Sequence, residues 1–275
     1  MWGSLLRLKD VQMKTKLIRW RTIALPTEHG GWGFIGEPIV LGLMIAPSAA
    51  GVMLSITALA LFLLRQPLKV WLKDRIAHRH VPRTWIARRF ILIYGGIALI
   101  AGLGFLLTGV AWTVLWPLLI ALPLIAWQLY DDLRYQGRDL RAEVIGASVP
   151  GVIVTIFTLI QGWPGIIALA LWFALAVKGI GAVFYVRARL RLERGETIRR
   201  DLPIIAHGIG FGLFAIAVGT GILIWTVLIA MAVLTVRCVV GLSAWRKARP
   251  AKVIGVQEVG YGLMFVILIA IGHIF

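Results

Sequence analysis

The sequence holds a single cysteine, Cys238, which excludes an internal disulfide and any cysteine-based zinc site. Charge is also scarce. Asp, Glu, Lys and Arg make up 15% of the 275 residues, where a soluble domain carries about 25%. So few charges cannot cover the surface of a water-soluble globule, and 60% apolar residues exclude disorder as well. Acids are the scarcest class, 12 against 29 Lys and Arg, for a net charge of +17. A basic balance of that size is one footprint of nucleic-acid binding, but a chain this apolar is not a DNA-binding domain, and no nucleic-acid partner is expected. What fits is an all-α, polytopic transmembrane helix bundle in contact with membrane lipids, with basic segments held on the cytoplasmic side.

A span needs about 17–25 mostly apolar residues to cross roughly 30 Å of hydrocarbon. Nine runs qualify or come close: residues 32–47, 52–64, 90–108, 112–130, 144–160, 165–186, 203–219, 222–242 and 253–275. The first two are short and either cross or pair as a re-entrant hairpin, so the range is seven to nine. The cations narrow it. Of the 29 Lys and Arg, 27 fall in five segments: before Thr22, and at 65–89, 134–141, 187–200 and 246–252. The four intervening connections, around Ala49, Gly109, Gly162 and Gly219, carry no charge. Positive residues stay inside, so this alternation predicts nine spans with the N-terminus inside and the C-terminus outside.

Residues 1–24 have no apolar core of signal-peptide length. Their Trp2, Leu5, Leu6 and Leu8 alternate with cations, as in a helix lying on anionic lipid. They are read as a basic interfacial segment, and residues 25–275 as one transmembrane helical domain.

Ionisable side chains at membrane depth are costly and mark function by default. The densest polar run is LPTEHGGWGFIGEP, residues 25–38, where Glu28 and His29 stand beside Gly30, Gly31, Gly33 and Gly36 between Pro26 and Pro38. Glycine at this density permits non-helical backbone, and Pro38 leaves a carbonyl without its usual partner. A broken, re-entrant start lining a cavity accounts for the pattern. A carboxylate beside an imidazole suits proton transfer or ligand binding, so Glu28 and His29 are the catalytic candidates. Trp32 and Glu37, nine residues beyond Glu28, are candidate ligand contacts. The bland alternative puts Glu28 and His29 in interfacial water, with the glycines serving packing alone.

Residues 130–147, YDDLRYQGRDLRAEVIGA, form a second cluster. On a helix Asp131, Arg134 and Arg138 share a face, and Arg forks suit phosphate or carboxylate groups; Glu143 follows. A self-neutralising loop of surface ion pairs is an even alternative. Lys178 lies nine residues before Arg187, roughly 13 Å of helix, too far for easy snorkelling, so an inward partner is expected among Glu37, Glu143 and Glu258. Arg237 reads as snorkelling to the inner face. His207, beside Gly208 and Gly212, reads as a packed histidine, His78 and His80 lack a carboxylate pair at ligand spacing, and His273 reads as terminal. No metal site is expected.

The proline, the EHG triplet and Trp32 of residues 25–38 resemble the signature of the YwiC-like family, polytopic bacterial membrane proteins without an established activity, and Arg134, Arg138, Arg141 and Glu143 are similar to that family's second feature. The resemblance implies the cytoplasmic membrane of a bacterium. A remoter likeness is architectural: nine spans, an inside N-terminus and long inner loops after spans two and six resemble the UbiA prenyltransferase superfamily. In that superfamily cations followed by a Gly-Ala pair come after span four, as Gly146 and Ala147 do here. The departure is sharp. The superfamily's first Asp-rich motif would fall on Arg65, Gln66, Lys69 and Lys73, and its second near Arg187 and Arg191, with Asp74 and Glu193 adjacent if the register slips. Aspartates hold Mg²⁺ against a diphosphate. Lys and Arg cannot hold the metal but bind anionic oxygens directly, so Mg²⁺ is not expected at these positions and the cofactor is unknown.

Three functions follow. The first is a UbiA-like membrane protein with an inward-facing polar and basic cavity for an amphiphilic anion of isoprenoid or lipid-phosphate type. Lys69, Lys73, Arg134, Arg138 and Arg187 would hold the anionic group there, and the chain would be a divergent transferase if it is an enzyme. The second is an ion-coupled transporter with Glu37, Lys178 and Glu258 as a charge relay. The third is a non-catalytic assembly protein whose basic loops hold an acidic partner.

Overall fold

The computed structural model of the chain describes residues 20–26, 29–78, 81–134 and 139–274, apart from the side chains of His29, Asp132 and Leu133. Most of these residues are helical, and no strand occurs among them. A short α1 (Trp20–Ala24) precedes α2 (His29–Ile45), α3 (Ala49–Ile76) and α4 (Pro82–Leu107). A 3₁₀ turn leads into α5 (Pro117–Arg134). Helices α6 (Leu140–Ser148) and α7 (Val152–Ile160) form one interrupted rod, followed by α8 (Gly165–Glu193), α9 (Asp201–Gly219), α10 (Thr226–Leu242) and α11 (Ala251–Ile274).

Each of the nine apolar runs falls on a helix. Seven helical stretches are long and apolar enough to cross a membrane, while Gly30–Ile45 and Thr226–Leu242 are shorter. The protein is an integral membrane protein built as a helical bundle. Three expectations need correcting. The second run is not short, because α3 continues for 28 residues through Arg65, Pro67, Lys69 and Lys73; long cationic side chains keep good helix propensity, so charge marks no helix end. From His29 onward the glycine-rich run is one continuous helix with Pro38 inside it, not a broken re-entrant start. The long loops expected after the second and sixth runs are also largely helix, through the extended ends of α3 and α8.

Local chemistry sets the boundaries. Ser48 caps α3 by accepting from the Gly51 N–H at 2.9 Å. Pro82 opens α4 at a position where its missing N–H costs nothing. Gly162, at φ +76°, turns the chain after α7 in a conformation other residues rarely adopt.

The core lies between α2, α7, α8, α10 and α11. Phe157 of α7 packs where Gly42 of α2 and Gly51 of α3 leave its ring room, and a β-carbon on either glycine would collide with it. Around this core α4 and α5 present leucine, isoleucine and tryptophan outward, among them Ile100, Leu107 and Leu119. Such a surface in water would be a large aggregation patch, and in hydrocarbon it is ordinary. Cationic connections meet at one end of the bundle: the Gln66 amide donates to the Thr22 carbonyl at 3.0 Å, and Arg187 pairs with Glu143 at 2.9 Å. Charge-free connections meet at the other, where the Gln161 amide donates to the Pro47 carbonyl at 3.0 Å and Trp163 packs on His273.

Candidate functional site

Two polar constellations stand out. The first lies at the charged end, where α1 packs on α3 and α4 around a cleft of about 500 Å³. Gln66, Lys69, Val70 and Lys73 reach it from α3, because residues three and four apart share one helix face. Arg83 enters from α4, and Ile23, Val81 and Pro82 supply apolar wall. Three cations line the cleft, and no carboxylate does among the described lining residues. Below it Asp74, 1% exposed, accepts from Arg83 Nε at 3.0 Å, Arg83 Nη2 at 2.5 Å and Thr84 Oγ1 at 2.8 Å. A buried carboxylate needs such partners. The clamp fixes the α3–α4 turn and holds Arg83 at the cleft wall. Chemically the cleft lining is cationic with an apolar flank. The magnesium that the UbiA likeness would imply does not fit it, since ammonium and guanidinium groups cannot ligate a cation.

The second constellation is buried in the bundle. Lys178, 13 residues into α8 and so about 20 Å from its start, forms an ion pair with Glu37 of α2, with side-chain exposures of 3% and 8%. Gly262 of α11 lies against this pair, and a β-carbon there would strike both the Glu37 carboxylate and Lys178 Nζ. One turn along α11, Glu258 accepts from Arg237 Nη2 of α10 at 2.6 Å. The Arg237 guanidinium lies 4.1 Å from the Tyr185 ring centroid and 5.1 Å from that of Tyr261. Glu258 feels the charges of Arg237, Lys178 and Glu37 together, so the four ions form one cluster of zero formal charge. Burying each ion costs several kcal/mol that pairing only partly returns. His207, 1% exposed, accompanies them as the packed histidine expected, its Nδ1 2.8 Å from the Pro203 carbonyl.

Among the sequence candidates, Glu37, Lys178 and Glu258 come together, and Lys69 and Lys73 share the cleft. Glu28 and Arg138 lie outside the described residues, as does the His29 side chain, although His29 opens α2. Trp32 packs edge-on against Phe62 at 5.3 Å and donates to the Pro26 carbonyl at 3.4 Å. Asp131 is buried and accepts from Trp127 Nε1 at 3.1 Å, Arg134 lies over the Tyr130 ring, and Glu143 takes Arg187. Asp131 and Arg134 make these contacts within α5, Glu143 joins α6 to α8, and none of them lines either constellation.

Two residues were misjudged or missed from sequence. Arg237 does not snorkel: its side chain is 5% exposed and paired inward. The signal that placed Lys178 inward, a cation deep in an apolar run, applied equally to it. From sequence, Arg189 is one cation of the basic segment 187–200. It is buried and donates to the Gly241 carbonyl and, at 2.5 Å, to the Lys247 carbonyl, while pairing with Glu193 at 2.8 Å. No sequence signal separates it from its exposed neighbours.

No curated protein and no solved structure matches the chain, so the architectural likeness to UbiA prenyltransferases has no structural counterpart here. A family description, YwiC-like protein, matches residues 25–158. That stretch carries the EHG run, Glu37 and the α3–α4 wall of the cleft, and it stops before Lys178, Arg237 and Glu258. Over residues 25–158 the chain is similar to the YwiC-like family.

Proposed function

We propose that the protein binds an amphiphilic anion of isoprenoid-phosphate or lipid-phosphate type in the cleft between α1, α3 and α4, facing the cytoplasm. The observation that carries this reading is the lining: Lys69, Lys73 and Arg83 beside Ile23, Val70, Val81 and Pro82. Lysine binds phosphate as a point charge, and arginine adds directed donors. The apolar wall accepts the first carbons of a chain whose remainder lies in the bilayer. If the bound molecule is turned over, Glu28 and His29 at the entry to α2 are the acid–base pair, and the cations would neutralise the charge of a leaving phosphate or diphosphate. Native mass spectrometry of the detergent-purified protein, with and without Mg²⁺, tests the proposal. A retained phosphate-bearing amphiphile that survives chelation is the expected result, and an empty protein in both conditions sinks it. A Glu28→Gln/His29→Ala variant should keep the ligand and stop its turnover. Wild-type turnover in that variant removes the pair from the mechanism.

A second reading, an ion-coupled transporter, is favoured by one observation, the buried cluster of Glu37, Lys178, Arg237 and Glu258. It requires gradient-dependent uptake in proteoliposomes that Glu258→Gln abolishes.

A further inference from the structure

Arg237 carries an unmet demand that the cleft does not explain. Its Nη2 is satisfied by Glu258, but the N–H groups on Nε and Nη1 are buried and meet no acceptor among the described residues. Tyr185 and Tyr261 flank the guanidinium with their ring faces and leave its edge, where these hydrogens point, for something else. In the interior of a membrane protein no bulk water answers such donors, and each unanswered one costs about 1–3 kcal/mol. The charges decide what can answer them. Glu37 and Glu258 already balance Lys178 and Arg237, so an added anion would leave net negative charge at membrane depth. A neutral acceptor oxygen adds none. The Glu258 side chain beside the guanidinium keeps 14% exposure.

We infer that the edge of the Arg237 guanidinium, between Tyr185, Tyr261 and Glu258, is a second binding site, which takes a neutral hydrogen-bond acceptor oxygen: an internal water or the carbonyl of a small molecule. The site draws on α8, α10 and α11, beyond the stretch matched by the family, and stands or falls separately from the anion cleft.

The test is an experimental structure of the full chain in lipid nanodiscs, at a resolution that shows ordered water, paired with native mass spectrometry. The inference requires non-protein density about 2.7–3.2 Å from Arg237 Nε or Nη1. Density with a mass adduct on the chain identifies a carbonyl-bearing molecule, and density without one identifies water. Both support the site. Dry packing against those nitrogens overturns it. Arg237→Lys keeps the charge opposite Glu258 but loses the planar fork. In that variant the density should disappear and any adduct should fall by about tenfold or more, the worth of one hydrogen bond to a charged group. Density that persists unchanged in the lysine variant also overturns the assignment. If that variant does not fold, the wild-type density alone decides.

Discussion

The Glu37–Lys178 pair shows how far one contact constrains a membrane bundle. Removing one partner of a buried pair leaves an uncompensated charge, a loss of about 3–5 kcal/mol. Lys178→Met and Glu37→Gln should each lower the unfolding temperature sharply, and the double variant should cost less than the sum of the two. Cys238, the single cysteine and buried, offers the readout through its labelling by a thiol-reactive fluorophore on heating. Additive losses would mean that the two side chains do not meet. Gly262→Ala should act on the same pair, because its new methyl occupies space held by the Glu37 carboxylate and Lys178 Nζ. Overpacking of this kind costs about 1–3 kcal/mol. Against a Lys178→Met background the added loss should shrink, since the crowded ammonium is gone. An undiminished loss there would place the strain elsewhere. Lys178 was legible in the sequence as needing a partner, but which of three carboxylates would meet it was not. That choice depends on α2 packing against α11 and α8, and no residue pattern encodes it.

The helices themselves were readable because span-length apolar runs leave few alternatives, and all nine runs fall on helices. Their inner ends were not readable. Charge marks where a chain leaves hydrocarbon, not where hydrogen bonding stops, so α3 and α8 run on through residues that look like loops. Arg189 exploits that extension. Buried near the end of α8, it ties the end of α10 through the Gly241 carbonyl and the segment after it through the Lys247 carbonyl. Hydrogen bonds to a charged group are worth about 1.5–3 kcal/mol each. Arg189→Met should therefore open the 243–250 segment and raise trypsin cleavage at Arg246 or Lys247 by about tenfold or more, provided that cleavage tracks the open population. An unchanged cleavage rate would show that the segment is held by other means.

At the scale of the whole molecule, the +17 charge first reads as topology. Cationic connections gather at one end of the bundle, and charge-free ones at the other. The positive-inside rule would then put the charged end in the cytoplasm and the far end of α11 outside. An alkaline phosphatase fused after residue 275 should be active, and a green fluorescent protein in the same place dark; the reverse pattern would invert the orientation. Topology accounts for the number of cations but not for Lys69 and Lys73 lining a cleft with Arg83 beside apolar wall. The sequence marked those two lysines only through a remote likeness, and Arg83, brought in by α4 and clamped by Asp74, needed the fold. The claim that this cleft holds an amphiphilic anion is tested most directly by native mass spectrometry of the wild-type chain beside a Lys69→Glu/Lys73→Glu variant, both purified in the same mild detergent. The wild type should carry a phosphate-bearing amphiphile, and the folded variant should lose it. An equal load on both proteins, or none on the wild type, would contradict the account.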